Sequence, residues 1–377
     1  MPLARALKPM IVKEFRQIRR DPTSLGMLLL LPAALIITVG YALNFDVKHV
    51  PLVIFDQSRS GESRAFLVQF RHSEYFDVVA DVPSYAEVER CFLDGEAKAA
   101  VVVPPDFARD LLGGRDTRVQ ILLDGSDANS AGQALNYAAR MTTEYSSRMI
   151  AEAFRVRGRS LYLPVDFRPR VWYNPDLRSS LFLIPGLIGF ILVLTAVIST
   201  SLTVVREKER GTMEQIMVSP LRPLEMILGK TVPYVAISLA AATMILVIGY
   251  FLFGVEIRGS ILLLYAAILI VTLGALGQGL LISTVTDSQQ VAFMISVFSS
   301  LLPSMLLSGF VFPVASMPVV LQILSNIAVN KFFLVVVRGV MLKGAGFLDV
   351  WPQFLFMILF ALATLGISVV RTRKRSV

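Results

Sequence analysis

The chain reads as a membrane all-α bundle of six transmembrane helices, with an extracytoplasmic α/β domain inserted between the first and second spans. Three observations predict this class. Six stretches, 25–45, 180–205, 227–253, 260–283, 291–312 and 351–370, are apolar over the roughly twenty residues that a helix needs to cross the hydrocarbon core. Lysines and arginines gather at the edges of those stretches and favour alternate sides. Residues 46–178 break the apolar pattern and alternate strand-like with helix-like runs.

Composition supports the membrane class. Hydrophobic residues make up 55% of the 377, charged residues only 17%, and the mean hydropathy is +0.65. The net charge of +8 and pI near 9.7 would suit a nucleic-acid partner, but the cations sit where topology needs them, so none is expected. A single cysteine, Cys91, excludes an intrachain disulfide, and His49 and His72 lack companions at metal-ligand spacing.

The first segment, 1–24, predicts a cytoplasmic amphipathic helix. Leu7, Ile11, Phe15 and Ile18 recur at helical spacing, Lys8, Arg16, Arg19 and Arg20 take the other side, and Asp21-Pro22 ends the helix. Anionic lipid headgroups would hold such a helix at the interface. Glu14 projects close to the apolar stripe, where a protein partner is an equally good reading. Span 1, 25–45, is a retained anchor: its basic leader is too long for a signal peptide and no small-x-small site follows at Tyr41–Phe45.

Within 46–178 the strand-like runs are 50–55, 76–82, 98–104 and 118–124, and helical patterns cover 60–72, 84–94, 105–112 and 127–157. Asp124–Asn129 predicts a strand end, a turn and a helix N-cap. The bundle proper, 179–371, contains spans 2–6, a cytoplasmic loop at 206–225 and an outer hairpin at 313–345; a basic cytoplasmic tail follows at 372–377. Stretch 319–342 is apolar but holds Gln322, Asn326, Asn330, Lys331 and Arg338, and charges at mid-bilayer cost roughly 2.5–3.5 kcal/mol each. A seventh crossing would also put the basic tail outside, so 319–342 is expected to be re-entrant or interfacial.

Orientation follows from cation placement. The leader, the loop after span 2 and the tail carry fourteen lysines and arginines, against four (Arg258, Lys331, Arg338 and Lys343) in the short segments of opposite sidedness. Both termini are expected in the cytoplasm of a multi-pass protein of the bacterial inner membrane.

The chemistry of an enzyme is missing from the pattern. Residues 229–231 (GKT) imitate the end of a Walker A loop, yet Leu224 occupies the place of its first glycine and no strand precedes it. The expectation is therefore no cofactor in this chain. The span cores carry no ionisable residue except Lys230 near the cytoplasmic end of span 3, so a gradient-driven carrier is disfavoured; Gln278 in span 4 reads as a packing residue. The loop after span 2, 206-REKERGTMEQIMVSPLRPLEMILGK-230, is dense in charges of both signs. Gly211 divides span 2 from a short amphipathic helix at 212–218, which Pro220 and Pro223 stop. Such a helix suits protein docking, and a solvated loop is as good a reading from the charges alone.

The stretches 13-KEFRQIRRDP-22, 124-DGSDAN-129, 172-WYNPDLRSS-180, 206-REKERGTMEQIMVSPL-221, 283-STVTDSQQ-290 and 308-SGFVFPVASMP-318 together resemble the ABC-2-type transporter permeases. They resemble in particular the bacterial drug-efflux branch with a large periplasmic domain. The resemblance runs over essentially the whole chain. It implies a permease subunit exporting hydrophobic or amphipathic, drug-like compounds. A separate cytoplasmic ABC ATPase, binding ATP and magnesium, would drive it. It also implies a second permease copy or a sister permease, a cargo path at spans 1, 2 and 5, membrane lipid around the bundle, and a periplasmic adaptor protein. The leader becomes the connecting helix, with Lys13, Glu14, Arg16, Arg19 and Asp21. The loop becomes the coupling helix, with Glu207, Glu209, Arg210, Gly211, Thr212, Met213 and Glu214. One departure is Val329, near a position where such permeases often carry proline. The rival readings are a membrane-anchored extracytoplasmic sensor or secretion scaffold without transport activity, and an integral-membrane enzyme, for which no acid, base or metal set is found.

Overall fold

The computed structural model describes residues 3–42, 48–156, 172–174, 178–213 and 223–375. It divides into two compact units, one of Met1–Asn44 with Arg170–Val377 and the other of Phe45–Pro169.

In the second unit, strands β1 (Val50–Asp56), β2 (Phe76–Asp81), β3 (Ala99–Val103) and β4 (Gln120–Leu123) alternate with helices α3 (Gly61–Arg71), α4 (Tyr85–Leu93), α5 (Phe107–Leu112) and α6 (Ala128–Val156). The strand order is β2-β1-β3-β4, with β1 parallel to both neighbours and β4 antiparallel to β3. All five residues of β3 are buried, which explains the unbroken AAVVV run: a strand covered on both faces has no polar side to show. Leu52, Phe66, Phe70 and Val101 fill one face of the sheet, and Val53, Val88 and Ala100 the other. The DGSDAN segment does the capping its side chains predict. Ser126 N donates to Asp124 Oδ1 at 2.9 Å and Ser130 N to Asp127 Oδ1 at 3.3 Å, at the start of α6. The backbone hydrogen bond from Ser126 holds the Asp124 carboxyl below its usual range.

The first unit is helical. Leader helix α1 (Leu3–Arg20) is followed by α2 (Pro22–Ala42), so the Asp21-Pro22 break falls where the sequence puts it and 22–24 already belong to the next helix. The other long helices are α7 (Ser179–Glu209), α8 (Pro223–Phe253), α9 (Ile261–Val285), α10 (Gln289–Leu302, continued by a π-helical turn at Pro303–Leu307) and α13 (Phe347–Arg375). Among the described residues, five helices are long and apolar enough to cross a membrane: Ser179–Glu209, Glu225–Phe253, Ile261–Val285, Gln289–Leu307 and Phe347–Thr372. The apolar part of α2, Leu28–Ala42, is shorter. In stretch 319–342, Val319–Ile327, which opens with the short helix α11 (Val319–Leu324), and Val329–Lys343 meet at 87°, counting as a sixth candidate span only if the bent pair is taken as one. Two boundaries move relative to expectation: α7 already contains 206–209 and α8 begins at Pro223, so the segment between them is shorter than the expected loop 206–225; and α13 runs on through the basic residues to Arg375.

Helix α7 is the axis of this unit, with 72% of its apolar window buried. Its Ile184, Leu187, Ile188 and Ile191 are fully buried among α2, α8, α9, α10 and the helix α12 (Val329–Arg338). Helix α9 binds α13 through hydroxyl-to-carbonyl hydrogen bonds, Thr364 Oγ1 to Gly274 O and Ser368 Oγ to Gly277 O, each 3.3 Å, a form of cohesion available where side chains are small and water is absent.

Candidate functional site

The buried face of α1 differs from the apolar stripe in the sequence. Successive helical residues turn by about 100°, so Phe15 lies about 80° from Leu7 while Glu14 lies about 20° from it. Accordingly Phe15 is 41% exposed, and the buried row is Met10, Glu14 and Ile18. Met10 packs on Gly229 of α8. A Cβ at 229 would sit 2.9 Å from Met10 Cβ, so only glycine admits the leader this closely.

Glu14 is wholly buried because two lysines meet it. Lys230 Nζ lies 3.3 Å from Glu14 Oε1 and also ion-pairs with Glu207 Oε2; Lys13 Nζ lies 3.0 Å from Glu14 Oε1 and 2.7 Å from Glu207 Oε1. Lys230, Glu14 and Glu207 side chains are 2%, 0% and 6% exposed, whereas Lys13 is 42% exposed and closes the cluster toward solvent. Two carboxylates and two ammonium groups balance. Desolvation would depress Lys13, but the hydrogen bond and charge of Glu207 and the charge of Glu14 outweigh it and raise Lys13 above its ordinary value. Three helices, α1, α7 and α8, are thereby tied at one end.

The neighbours of Glu207 extend the tie. Arg206 Nη1 reaches Asp21 Oδ2 at the end of α1 (3.0 Å) and its Nε reaches Gln289 Oε1 (3.3 Å). Lys208 Nζ donates to the carbonyls of Ser283 and Thr286 (2.9 Å for the latter), where the C-terminus of α9 leaves acceptors unpaired. Glu209 accepts from the Gln289 backbone N–H at 2.7 Å and from its side-chain amide, at the N-terminus of α10, where an anion is favoured. Four consecutive residues, one turn of α7, thus grip four other helices, α1, α8, α9 and α10. Steps of about 100° send neighbouring side chains in different directions, which is why an unbroken REKE run can do this.

The sequence-predicted site residues divide accordingly. Lys13, Glu14, Asp21, Glu207 and Glu209 are brought together by these internal contacts, and the carboxylates of Glu14 and Glu207 face inward. Arg16, Arg19, Arg210, Gly211 and Thr212 are exposed and Met213 is half-buried. Lys13, Arg16, Arg20, Arg206 and Arg210 line a basic groove of about 690 Å³ with Asp21. Gly211 has φ +69° with nothing within 4 Å of a built Cβ, so it serves the turn of the chain rather than a tight contact. Glu214 and residues 214–218 of the expected short helix lie outside the described residues. The residues that sequence reasoning missed are Lys230, set aside with the GKT imitation, and Gln289. The signal was present: a carboxylate on a buried helical face needs a cation, and the span cores offer only Lys230.

Residues 22–370 match the family model described as ABC-2 family transporter protein. The probable multidrug ABC transporter permease YbhS of Escherichia coli K12 is 31% identical over 372 residues, covering 98% of this chain and 97% of its own. The probable multidrug ABC transporter permease YbhR of the same strain is 32% identical over 368 residues, 98% of each. The inner membrane transport permease YhhJ is 26% identical over 370 residues, 96% of each. A multi-spanning helical bundle, a leader helix bound into it and this full-length likeness to transporter permeases make the chain a member of the ABC-2 transporter family.

Proposed function

We propose that the chain is the membrane-spanning subunit of an ATP-driven exporter, powered by a separate cytoplasmic ABC ATPase that holds the ATP and magnesium. The observation that carries this reading is the tie made by Glu14, Lys230 and Glu207: whatever pushes on the start of the loop after α7 moves α1, α7 and α8 together. The exposed Arg16, Arg19 and Arg210, beside Gly211 and Thr212, supply a cationic surface for the ATPase. Magnesium and nucleotide are assigned to that partner because the GKT here lies within helix α8, with Lys230 committed to carboxylates.

Six spans suit this reading. Helix α2, of 21 residues, rises about 31 Å, enough for the hydrocarbon core, and the bent pair at 319–343 then forms an outer re-entrant hairpin. The Phe45–Pro169 unit becomes an extracytoplasmic domain, both termini are cytoplasmic, and the host membrane is a bacterial inner membrane, in line with the name of YhhJ. The multidrug names of YbhS and YbhR favour hydrophobic or amphipathic drug-like cargo. A second permease copy or a sister permease completes the cargo path, and the extracytoplasmic domain offers a surface for an adaptor.

The test is paired measurement of ATPase rate and efflux in proteoliposomes holding the full chain with and without the partner ABC ATPase. ATP-dependent efflux of a lipophilic dye, absent without the ATPase, is the expected result. Nucleotide hydrolysis by the isolated chain, or dye efflux indifferent to the ATPase, overturns the reading.

A further inference from the structure

The Phe45–Pro169 unit holds a crevice of about 710 Å³ at the carboxyl ends of β1 and β2. These strands are parallel neighbours, yet the chain leaves them toward opposite faces of the sheet. After β1 it enters α3, whose Phe66 and Phe70 pack on one face; after β2 it enters α4, whose Val88 packs on the other. A gap opens where two such connections part, and open α/β sheets hold their ligands in gaps of this kind. Its size falls in the usual range for small-molecule sites.

The charges around the crevice differ in how they are engaged. Arg59, Arg64 and Arg71 line it together with Asp56 and Asp81. Asp81 is taken by Arg71, whose Nη2 lies 2.5 Å from its Oδ1. Asp56 serves its own loop: Oδ1 accepts from the Arg59 backbone N–H at 3.0 Å and Oδ2 from Ser63 Oγ at 2.7 Å. The side chains of Arg59 and Arg64 have no hydrogen bond or ion pair among the described residues, and both residues are exposed. Two guanidinium groups, each with five donors, are thus left to the crevice.

Apolar surface lies beside them. Arg64, Val68 and Arg71 fall at i, i+4 and i+7 of α3, one helical stripe along the crevice wall. Val68, between the two arginines, is 49% exposed, and Pro83 on the β2 side is exposed as well. Ile54, Leu67 and Val82 close the floor beneath and are buried, so a ligand meets Val68 and Pro83 rather than the sheet.

The geometry points to a binding site for a small organic anion, with one carboxylate or phosphate head on a short apolar body. The planar forks of Arg59 and Arg64 present paired donors that match the oxygens of such a head. Val68 and Pro83 take the body. An organic cation finds only carboxylates that are already engaged, and a neutral molecule leaves both free guanidinium groups to water. The site lies outside the helical unit, and its occupancy does not depend on transport.

The test is fluorine NMR titration of the purified full chain in nanodiscs, without the ATPase, so that a failure of the export reading leaves it unaffected. Four probes share a trifluoromethylphenyl group and differ in the head: an acetate, a phosphate, an acetamide and a methylammonium. Empty nanodiscs give the background of membrane partition. At least one of the two anions should bind saturably, and the tighter of them names the head; the amide and the ammonium should bind about tenfold more weakly. Arg59→Gln and Arg64→Gln should each weaken anion binding about fivefold. Arg90→Gln removes the same charge from α4, outside the crevice lining, and should change binding less than about twofold. Val68→Asp, which sets a carboxylate between Arg64 and Arg71 at an exposed position, should abolish anion binding. Equal binding of acetate and acetamide, an equal loss in Arg90→Gln, anion binding that survives Val68→Asp, or no saturable shift with either anion overturns the assignment.

Discussion

Lys230 Nζ meets Glu14 Oε1 at 3.3 Å across 216 residues of chain, with both side chains shut from solvent. Neither charge is tolerable at that depth alone, so each is a condition for the other. Because Lys230 also bonds Glu207, removing it leaves two buried carboxylates to share the half-exposed Lys13. Lys230→Met should destabilise the protein by about 3–5 kcal/mol, and adding Glu14→Gln and Glu207→Gln should recover most of the loss. Thermal unfolding of the purified variants measures this; an unchanged Tm for Lys230→Met would remove the tie from the account.

Lys13 provides the contrast. It touches the same carboxylates but is 42% exposed, so solvent screens its contribution, and Lys13→Ala should cost less than about 1 kcal/mol. A loss equal to that of Lys230→Met, in the same unfolding assay, would mean that the cluster is not organised from the inside.

Gly211 should tolerate asparagine and resist valine. The space around it is open, and the obstacle is φ +69°, which asparagine adopts readily and a β-branched residue does not. Gly211→Val should uncouple ATPase activity from efflux while membrane insertion persists, and Gly211→Asn should stay near wild type. Equal efflux from the two variants would show that the turn has no part in coupling.

Arg338 holds the bent pair to the rest of the unit without any carboxylate. Its Nη1 donates to Gly309 O at 3.0 Å, its Nη2 to Phe182 O at 3.2 Å, and the guanidinium lies 3.8 Å over the Phe182 ring. Lysine has neither the fork nor the plane, so Arg338→Lys should loosen 309–318 nearly as much as Arg338→Ala. Faster hydrogen exchange over those residues in both variants is the expected readout; protection in Arg338→Lys equal to wild type would make charge alone sufficient.

The side of the membrane reached by each end of α13 tests the proposed topology. In a Cys91→Ser background, Ala345→Cys should react with an impermeant maleimide from the periplasm and Ser376→Cys only after the cytoplasmic face is opened. Periplasmic labelling of both would invert the orientation drawn from the basic residues.

Much of the fold was legible because hydrophobic length and alternation are local signals. Strand β3 announces its double burial in AAVVV, and the Asp21-Pro22 break lies where α1 gives way to α2. The site was legible in composition but not in its contacts. From the charges alone, the loop after span 2 suits a docked partner and a solvated loop equally, whereas Arg206, Lys208 and Glu209 satisfy helix ends and side chains that become neighbours only on folding. Glu14 looked out of place against an apolar stripe because its cation lies on another helix. The polar residues of 319–342 argued against a straight span, but no periodicity could indicate the 87° at which its two halves meet.

The tie between the leader and α8 also sets an order of assembly. Ribosomes add about 5–20 residues per second, so the 216 residues between Glu14 and Lys230 take about 10–40 s to appear. During that interval Glu14 has no buried lysine to meet and must keep to water or to Lys13, while α2, the intervening domain and α7 are already made. The first helix synthesised is therefore among the last to be seated. A chain stopped between α7 and α8 should carry its leader loose at the membrane surface, open to proteases that the finished protein resists.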